Sequence, residues 1–154
     1  MTIKTILVPT DFSEHAQRAF EIACDLARQL GASLYILHVK TGSALRIAVQ
    51  EGLLDDASTD EKLEEAVEQL IQQRFSQTLS SIDRSQISVE TISRRGDPAA
   101  TINAYAREIG VDLVVLGRRG VGLLEDVRAA VIGSVTASVI RKSPCPVMVV
   151  RREH

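Results

Sequence analysis

The sequence predicts an α/β fold: a doubly wound, five-stranded parallel sheet in spatial order 3-2-1-4-5, with helices on both faces. Three observations predict it. Short Val- and Ile-rich runs alternate with longer stretches of helical spacing from Ile3 to Val150. One of those runs, Val111 to Leu116, is apolar except at Asp112, as expected of a strand buried on both faces inside a parallel sheet. Finally, ligand-like residues follow two of the runs, Pro9-Thr10-Asp11 after the first and Gly117-Arg118-Arg119-Gly120 after the fourth. In open parallel sheets such residues gather beyond the strand carboxyl ends where the winding reverses, which sets strands 1 and 4 side by side.

Each element has its own justification. Ile3 to Pro9 is the first strand, and Ser13 is placed to cap the helix that follows. In that helix Ala16, Ala19, Phe20, Ala23, Leu26, Ala27 and Leu30 form one apolar stripe, and Gly31 stops it. Ser33 to Val39 is the second strand. Residues 40–58 keep neither period and read as a loop, with a short helix around Leu45–Val49. A second long helix begins near Ser58 or Asp60, its stripe being Leu63, Ala66, Val67, Leu70, Ile71, Phe75 and Leu79, its outer face acidic. Ile87 to Ile92 alternates in period two as a more exposed third strand. Asp97-Pro98 opens the next helix as cap and first residue, with Ile102, Tyr105, Ala106 and Ile109 inward. The Val111–Leu116 strand, the glycine loop and a helix through Val135 and Val139 to about Lys142 come next. Val147 to Val150 is the last strand.

Length and charge bound the function. At 154 residues the chain is expected to be one domain, 1–154, with a sizeable core. Residues 1–77 carry 7 basic and 12 acidic side chains, and residues 78–154 carry 11 and 8. The basic half therefore holds the glycine loop, which suits a phosphorylated ligand. No Trp is present and no basic stripe stands out, which argues against nucleic-acid binding. No apolar run approaches the ~18–20 residues of a membrane span, and the opening MTIKTILVPT lacks the pattern of a signal peptide. Cys24 and Cys145, both in apolar surroundings and without metal or redox spacing, read as buried thiols of a reducing, cytoplasmic protein.

A strand, a glycine-rich turn and a helix start together make an anion cradle. Glycines let the backbone come close, and the helix N–H groups and dipole favour negative charge. Gly117, Gly120, Gly133 and Ser134 supply those parts here, and Arg118 and Arg119 add charge.

Six blocks in order carry a resemblance over nearly the whole length: ILVPTDFS (6–13), ASLYILHV (32–39), GDPAATI (96–102), DLVVLGRRG (112–120), GSVTASVI (133–140) and PCPVMVV (144–150). The chain resembles the universal stress protein family. The resemblance implies a Rossmann-like sheet in a cytoplasmic, dimeric stress-response protein, with ATP or another adenine nucleotide as ligand, with or without Mg²⁺. Some members bind no nucleotide, which keeps open an alternative role as a dimeric scaffold. Carried over by residue, the resemblance makes Asp11 the ribose-binding acid. Val39 is the residue whose backbone reads the adenine edge, and Pro9 and Thr10 form the floor beside it. Gly117 and Gly120 match the first two glycines of the phosphate loop, and Gly133-Ser134 its closing pair, with Val135 next. Dimerisation through Val147–Val150 is implied as well, and that strand is apolar at every position on a sheet edge.

One departure stands out. Binding members place nine residues between the second glycine and the Gly-Ser pair, and here Val121 to Ile132 makes twelve. Either the helix runs backward through Gly133 and Ser134, committing their N–H groups, or the extra residues bulge and the cradle survives. Catalysis is not expected to be dedicated. GxxxxGK is absent, as are the loops of flavodoxins and ATP pyrophosphatases and the aspartate–lysine pair of phospho-receivers, leaving at most slow ATP hydrolysis. His38 reads as a satisfied core histidine, and Arg94-Arg95 and Arg151-Arg152 as solvated pairs.

Overall fold

Three consecutive residues of the first strand, Ile6, Leu7 and Val8, are completely buried, so both faces and both edges of this strand are covered. The computed structural model describes residues 1–41, 52, 60–118 and 132–151. Strand β1 (Thr5–Pro9) pairs in parallel with β2 (Ser33–Lys40) on one side and β4 (Leu113–Gly117) on the other. Strand β3 (Val89–Arg95) continues the sheet beyond β2, and β5 (Val147–Val150) beyond β4. The order is β3-β2-β1-β4-β5, as the sequence predicts. The third strand sits further along than the Ile87–Ile92 reading, because cross-strand pairing with β2 carries it to Arg95 opposite Lys40.

Helices cover both faces. Alternation in the strands sends Ile6, Val8, Leu34, Ile36, Leu113 and Val115 to one side, against α1 (Glu14–Leu30) and α2 (Asp60–Ser80). Leu7, Leu37, Val39, Val114 and Leu116 face α3 (Pro98–Ile109) and α4 (Ser134–Lys142) on the other. The helix signals act as read. Ser13 accepts from Ala16 N at 3.2 Å, and Asp97 accepts from Ala100 N at 3.0 Å. Gly31 ends α1 in the left-handed region, at φ 66°. Four alanines on α1, Ala16, Ala19, Ala23 and Ala27, bring its backbone close to the sheet.

Two residues of the expected core lie elsewhere. Leu30 is 49% exposed. Helix α1, of 17 residues, is about 25 Å long, whereas the five residues of β1 span about 17 Å, so its last turn outruns the strand it covers. Cys145 is half-buried rather than buried, between the exposed Pro144 and Pro146, while Cys24 is fully buried. Burial pushes the Cys24 thiol up to about 12, which keeps it protonated and inert. The short helix expected around Leu45–Val49 falls outside the described residues.

Asp112, the polar break in the fourth apolar run, has a structural task. Its carboxylate accepts from Lys4 N at 2.8 Å and Thr5 N at 3.0 Å, and its own N–H donates to Thr5 O at 3.0 Å. It thereby fastens the amino end of β1 to β4. Asp112→Ala is expected to destabilise the chain by about 1–3 kcal/mol, since two backbone donors lose a charged acceptor. Urea unfolding checks this, and an unchanged midpoint would show that water replaces the carboxylate without loss.

Candidate functional site

Beyond Pro9, β1 stops while β2 continues to Lys40, at the switch point above which parallel sheets of this kind form their crevice. Thr10 leads the chain out of the sheet. Its N–H donates to Leu37 O at 2.8 Å, and its hydroxyl accepts from Phe12 N at 3.0 Å. Asp11, exposed, accepts from Ser13 N at 3.0 Å. Between them Phe12 takes φ 63°, a left-handed conformation costing a non-glycine residue about 1–2 kcal/mol. Ring packing offsets that strain. Phe12 lies on His38 with centroids 4.6 Å apart and meets Phe75 of α2 edge-on at 5.3 Å.

His38 fixes the turn from below. Its Nδ1 lies 2.9 Å from Thr10 O. Because a carbonyl can only accept, Nδ1 carries the proton and Nε2 is the acceptor of the neutral ring. Burial lowers the His38 pKa below its ordinary value; the Thr10 bond, Asp11 and Glu68 pull it up, and Lys40 pushes it down. His38 is thus the satisfied histidine the sequence suggests, and it is bonded to the turn that carries Asp11.

Register orients Val39. In a parallel strand, alternate residues turn their N–H and C=O toward the same neighbour. Leu37 O accepts from Thr10, on the β1 side, whereas Lys40 O accepts from Gly96 N, on the β3 side. Val39 therefore turns its backbone donor and acceptor to the β1 side, two residues past Leu37, the partner of Pro9 where β1 ends. Its side chain stays buried against α3 and α4.

The other wall is built from β4 and α4. At Gly117 a Cβ would stand 2.7 Å from His15 O and 2.8 Å from His15 C, so only glycine lets the first turn of α1 close on β4. Arg118 N donates to Val150 O at 3.1 Å, and Arg118 O accepts from Gly133 N at 2.9 Å. The Thr136 hydroxyl donates to Gly117 O at 2.9 Å. These bonds hold the start of α4 against the carboxyl end of β4. Gly133 is the cap, extended at φ −61° and ψ 152°, and the helix begins at Ser134. The helix does not run backward through Gly133, so the first of the two alternatives for the insertion is excluded. The first-turn N–H groups of Ser134, Val135 and Thr136 have no acceptor within the helix. Arg119, Gly120 and residues 121–131 lie outside the described residues.

Pro9, Thr10, Asp11, Val39, Gly117, Arg118, Gly133, Ser134 and Val135 thus stand at the carboxyl ends of three adjacent strands and at one helix start. Sequence reasoning missed Phe12, His15 and His38 as parts of this arrangement. Nothing in the sequence signalled it, because their partners are distant in the chain. Among the described residues no group of three or more His, Cys, Asp or Glu is placed to hold a metal. Arg94 and Arg95, read as solvated, are exposed but paired, to Glu108 at 3.3 Å and Glu64 at 2.6 Å. Gly117→Ala is expected to cost about 1–3 kcal/mol through overpacking against α1. Chemical denaturation reads this, and a variant as stable as the parent would mean that α1 can withdraw freely.

The family model of the universal stress protein family matches residues 2–151. Universal stress protein Sll1654 of Synechocystis is 35% identical over 147 residues, covering 96% of this chain and 85% of the relative. Among solved structures, hypothetical protein MJ0577 superposes with a TM-score of 0.79 at 27% identity, covering 100% of this chain and 99% of the other. The universal stress protein from Archaeoglobus fulgidus in complex with dAMP shares the fold, with a TM-score of 0.62 at 24% identity and coverage of 97% and 98%. With this sheet order and a family match from residue 2 to residue 151, the chain belongs to the universal stress protein family.

Proposed function

We propose that the chain binds an adenine nucleotide in the crevice above β1, as a sensor or switch in a cytoplasmic stress response. The observation that carries this reading is the orientation of Val39, whose backbone donor and acceptor turn to the open end of β1. An adenine edge offers the complementary pair, an amino donor beside a ring acceptor. Asp11, exposed at the rim, supplies a carboxylate for ribose hydroxyls, with Pro9 and Thr10 as floor. The start of α4 supplies the N–H groups of Ser134 and Val135 and a favourable dipole for phosphate, behind the cap Gly133, whose own N–H is held by Arg118 O. Gly117 and Arg118 line the same side, and Arg119 and Gly120 extend the proposal into residues not described. The dAMP complex belongs to a protein of the same fold at 24% identity, so the ligand reading rests on the crevice itself.

Binding rather than turnover fits the chemistry of the rim. The Asp11 carboxylate already accepts from Ser13 N, an arrangement that positions it rather than freeing it as a base. Cys24 and Cys145 are both unpaired, which suits a reducing compartment. Isothermal titration with ATP, ADP and AMP, each with and without Mg²⁺, should give saturable binding below millimolar ligand. Asp11→Asn should weaken it about tenfold through loss of a charged acceptor. No binding at millimolar ligand by the folded chain would favour a nucleotide-free interaction module instead.

Two copies are proposed to join along β5. That strand is a sheet edge, its four residues are apolar, and Met148 is 37% exposed. An edge that no described strand pairs invites pairing, and pairing with its own copy closes the assembly at two. Light scattering should give twice the 16.8 kDa chain mass, and Val149→Lys should release monomer. A soluble, stable parent monomer at micromolar concentration would overturn the dimer.

A further inference from the structure

Two helix starts close on Gly117 from opposite faces of the sheet. On one face His15, the second residue of α1, stands so near that a Cβ at Gly117 would lie 3.0 Å from His15 Cβ. On the other face the Thr136 hydroxyl of α4 donates to Gly117 O at 2.9 Å. Helical side chains lean toward the amino end of their own helix. Because α1 begins at the carboxyl end of the sheet, His15 leans past Gly117 toward the end of β4.

The His15 ring is closed at one nitrogen and open at its other edge. Its Nδ1 is enclosed and has no hydrogen-bond partner, whereas the residue as a whole is half-buried. An enclosed N–H without an acceptor is the rarer and costlier state, so in the neutral ring Nδ1 is the bare acceptor and Nε2 carries the proton. This is the reverse of His38, whose Nδ1 donates to Thr10 O. The geometry points to His15 as a phosphate ligand, its Nε2–H donating from the α1 side to the phosphoryl group that the first turn of α4 receives from the other. That phosphoryl group is the one of the nucleotide proposed above, so the role of His15 rests on that reading.

The bonds already made around Gly117 leave this place for the ring. Arg118 N and Gly133 N are committed to Val150 O and Arg118 O, and only the N–H groups of Ser134, Val135 and Thr136 remain at the start of α4. A phosphoryl group set against these three turns its remaining oxygens away from α4, toward the face on which His15 stands. The first turn of α1 is capped from within, Ser13 accepting from Ala16 N at 3.2 Å, so α1 presents the ring to that side. Gly117 has no side chain to come between them. Glu14, the adjacent acid, is exposed and lies about 100° further round the helix.

Two variants separate a ligand from a packing residue. His15→Leu keeps bulk beside Gly117 and removes the donor, and His15→Gln keeps an N–H at similar reach. Affinities of the parent and both variants for AMP, and for adenosine, which lacks the phosphoryl group, are measured by titration calorimetry at one pH. His15→Leu is expected to weaken AMP about tenfold, through loss of a hydrogen bond to a charged group, and to leave adenosine unchanged. His15→Gln is expected to lie between the parent and His15→Leu. Equal losses for AMP and adenosine would mean that the ring only packs against Gly117, and no loss for AMP would place the phosphoryl group elsewhere. Either result overturns the proposal while nucleotide binding stands. If the parent binds neither ligand, the nucleotide reading fails, and inorganic phosphate becomes the probe. The ring nitrogen signals of His15 must then move in NMR when phosphate is added at constant pH and ionic strength, and signals that stay fixed overturn the proposal.

Discussion

The parallel pairing of β1 between β2 and β4 is the constraint on which the rest depends. A strand buried on both faces and paired on both edges has no freedom in register, since a slip of one residue would exchange its two faces. The register decides where β1 ends relative to its neighbours. Pro9 stands opposite Leu37, and β2 continues for three more residues to Lys40. The crevice is the consequence of that difference in length, and the direction of Val39 follows from counting along the same ladder.

Two helix starts then close on the end of the sheet. Helix α1 can approach β4 because Gly117 has no side chain, and α4 is held there by the hydrogen bonds of Arg118 and Thr136. In both cases the approach is set by backbone, which leaves little room for substitution. The start of α4 is also where the length of the preceding insertion would have mattered most. Because Gly133 is extended and Ser134 is the first helical residue, the extra residues do not lengthen this helix through the Gly-Ser pair. A left-handed Phe12 and a half-buried His38 sit on the opposite side of the crevice, where strain is held by packing.

Surface charge is arranged more locally than its distribution along the chain suggests. The acidic outer face of α2 meets the basic end of β3 through Arg95 and Glu64, and Arg94 bridges to Glu108 while stacking over Tyr105 at 5.3 Å. Lys40 reaches Glu68. Burial would raise the Glu68 pKa, but its hydrogen bonds from Lys40 and Gln72 outweigh this and hold it below the usual carboxylate value. Pairs this exposed contribute little to stability, each about 0–1 kcal/mol. Their effect is to keep basic residues at the carboxyl edge of β3 tied to helices.

Periodicity and end signals were sufficient for most of the fold. Ser13, Gly31 and Asp97 each bound a helix through contacts within a few residues, which is why they are legible in order along the chain. The sheet order followed from which apolar runs carried ligand-like residues at their carboxyl ends. Positions whose task depends on a partner far away in sequence were not legible. Asp112 looked like an interruption until Lys4 and Thr5 were placed beside it, 108 and 107 residues distant. Leu30 fitted the apolar stripe of α1, yet it is exposed because stripe spacing says nothing of how long the underlying strand is. His38 could be read as a satisfied core residue, but its acceptor, Thr10 O, is 28 residues away and set by the β1–β2 register. Local signals are written in neighbouring residues, whereas register, helix overhang and the crevice arise only when the strands are laid side by side.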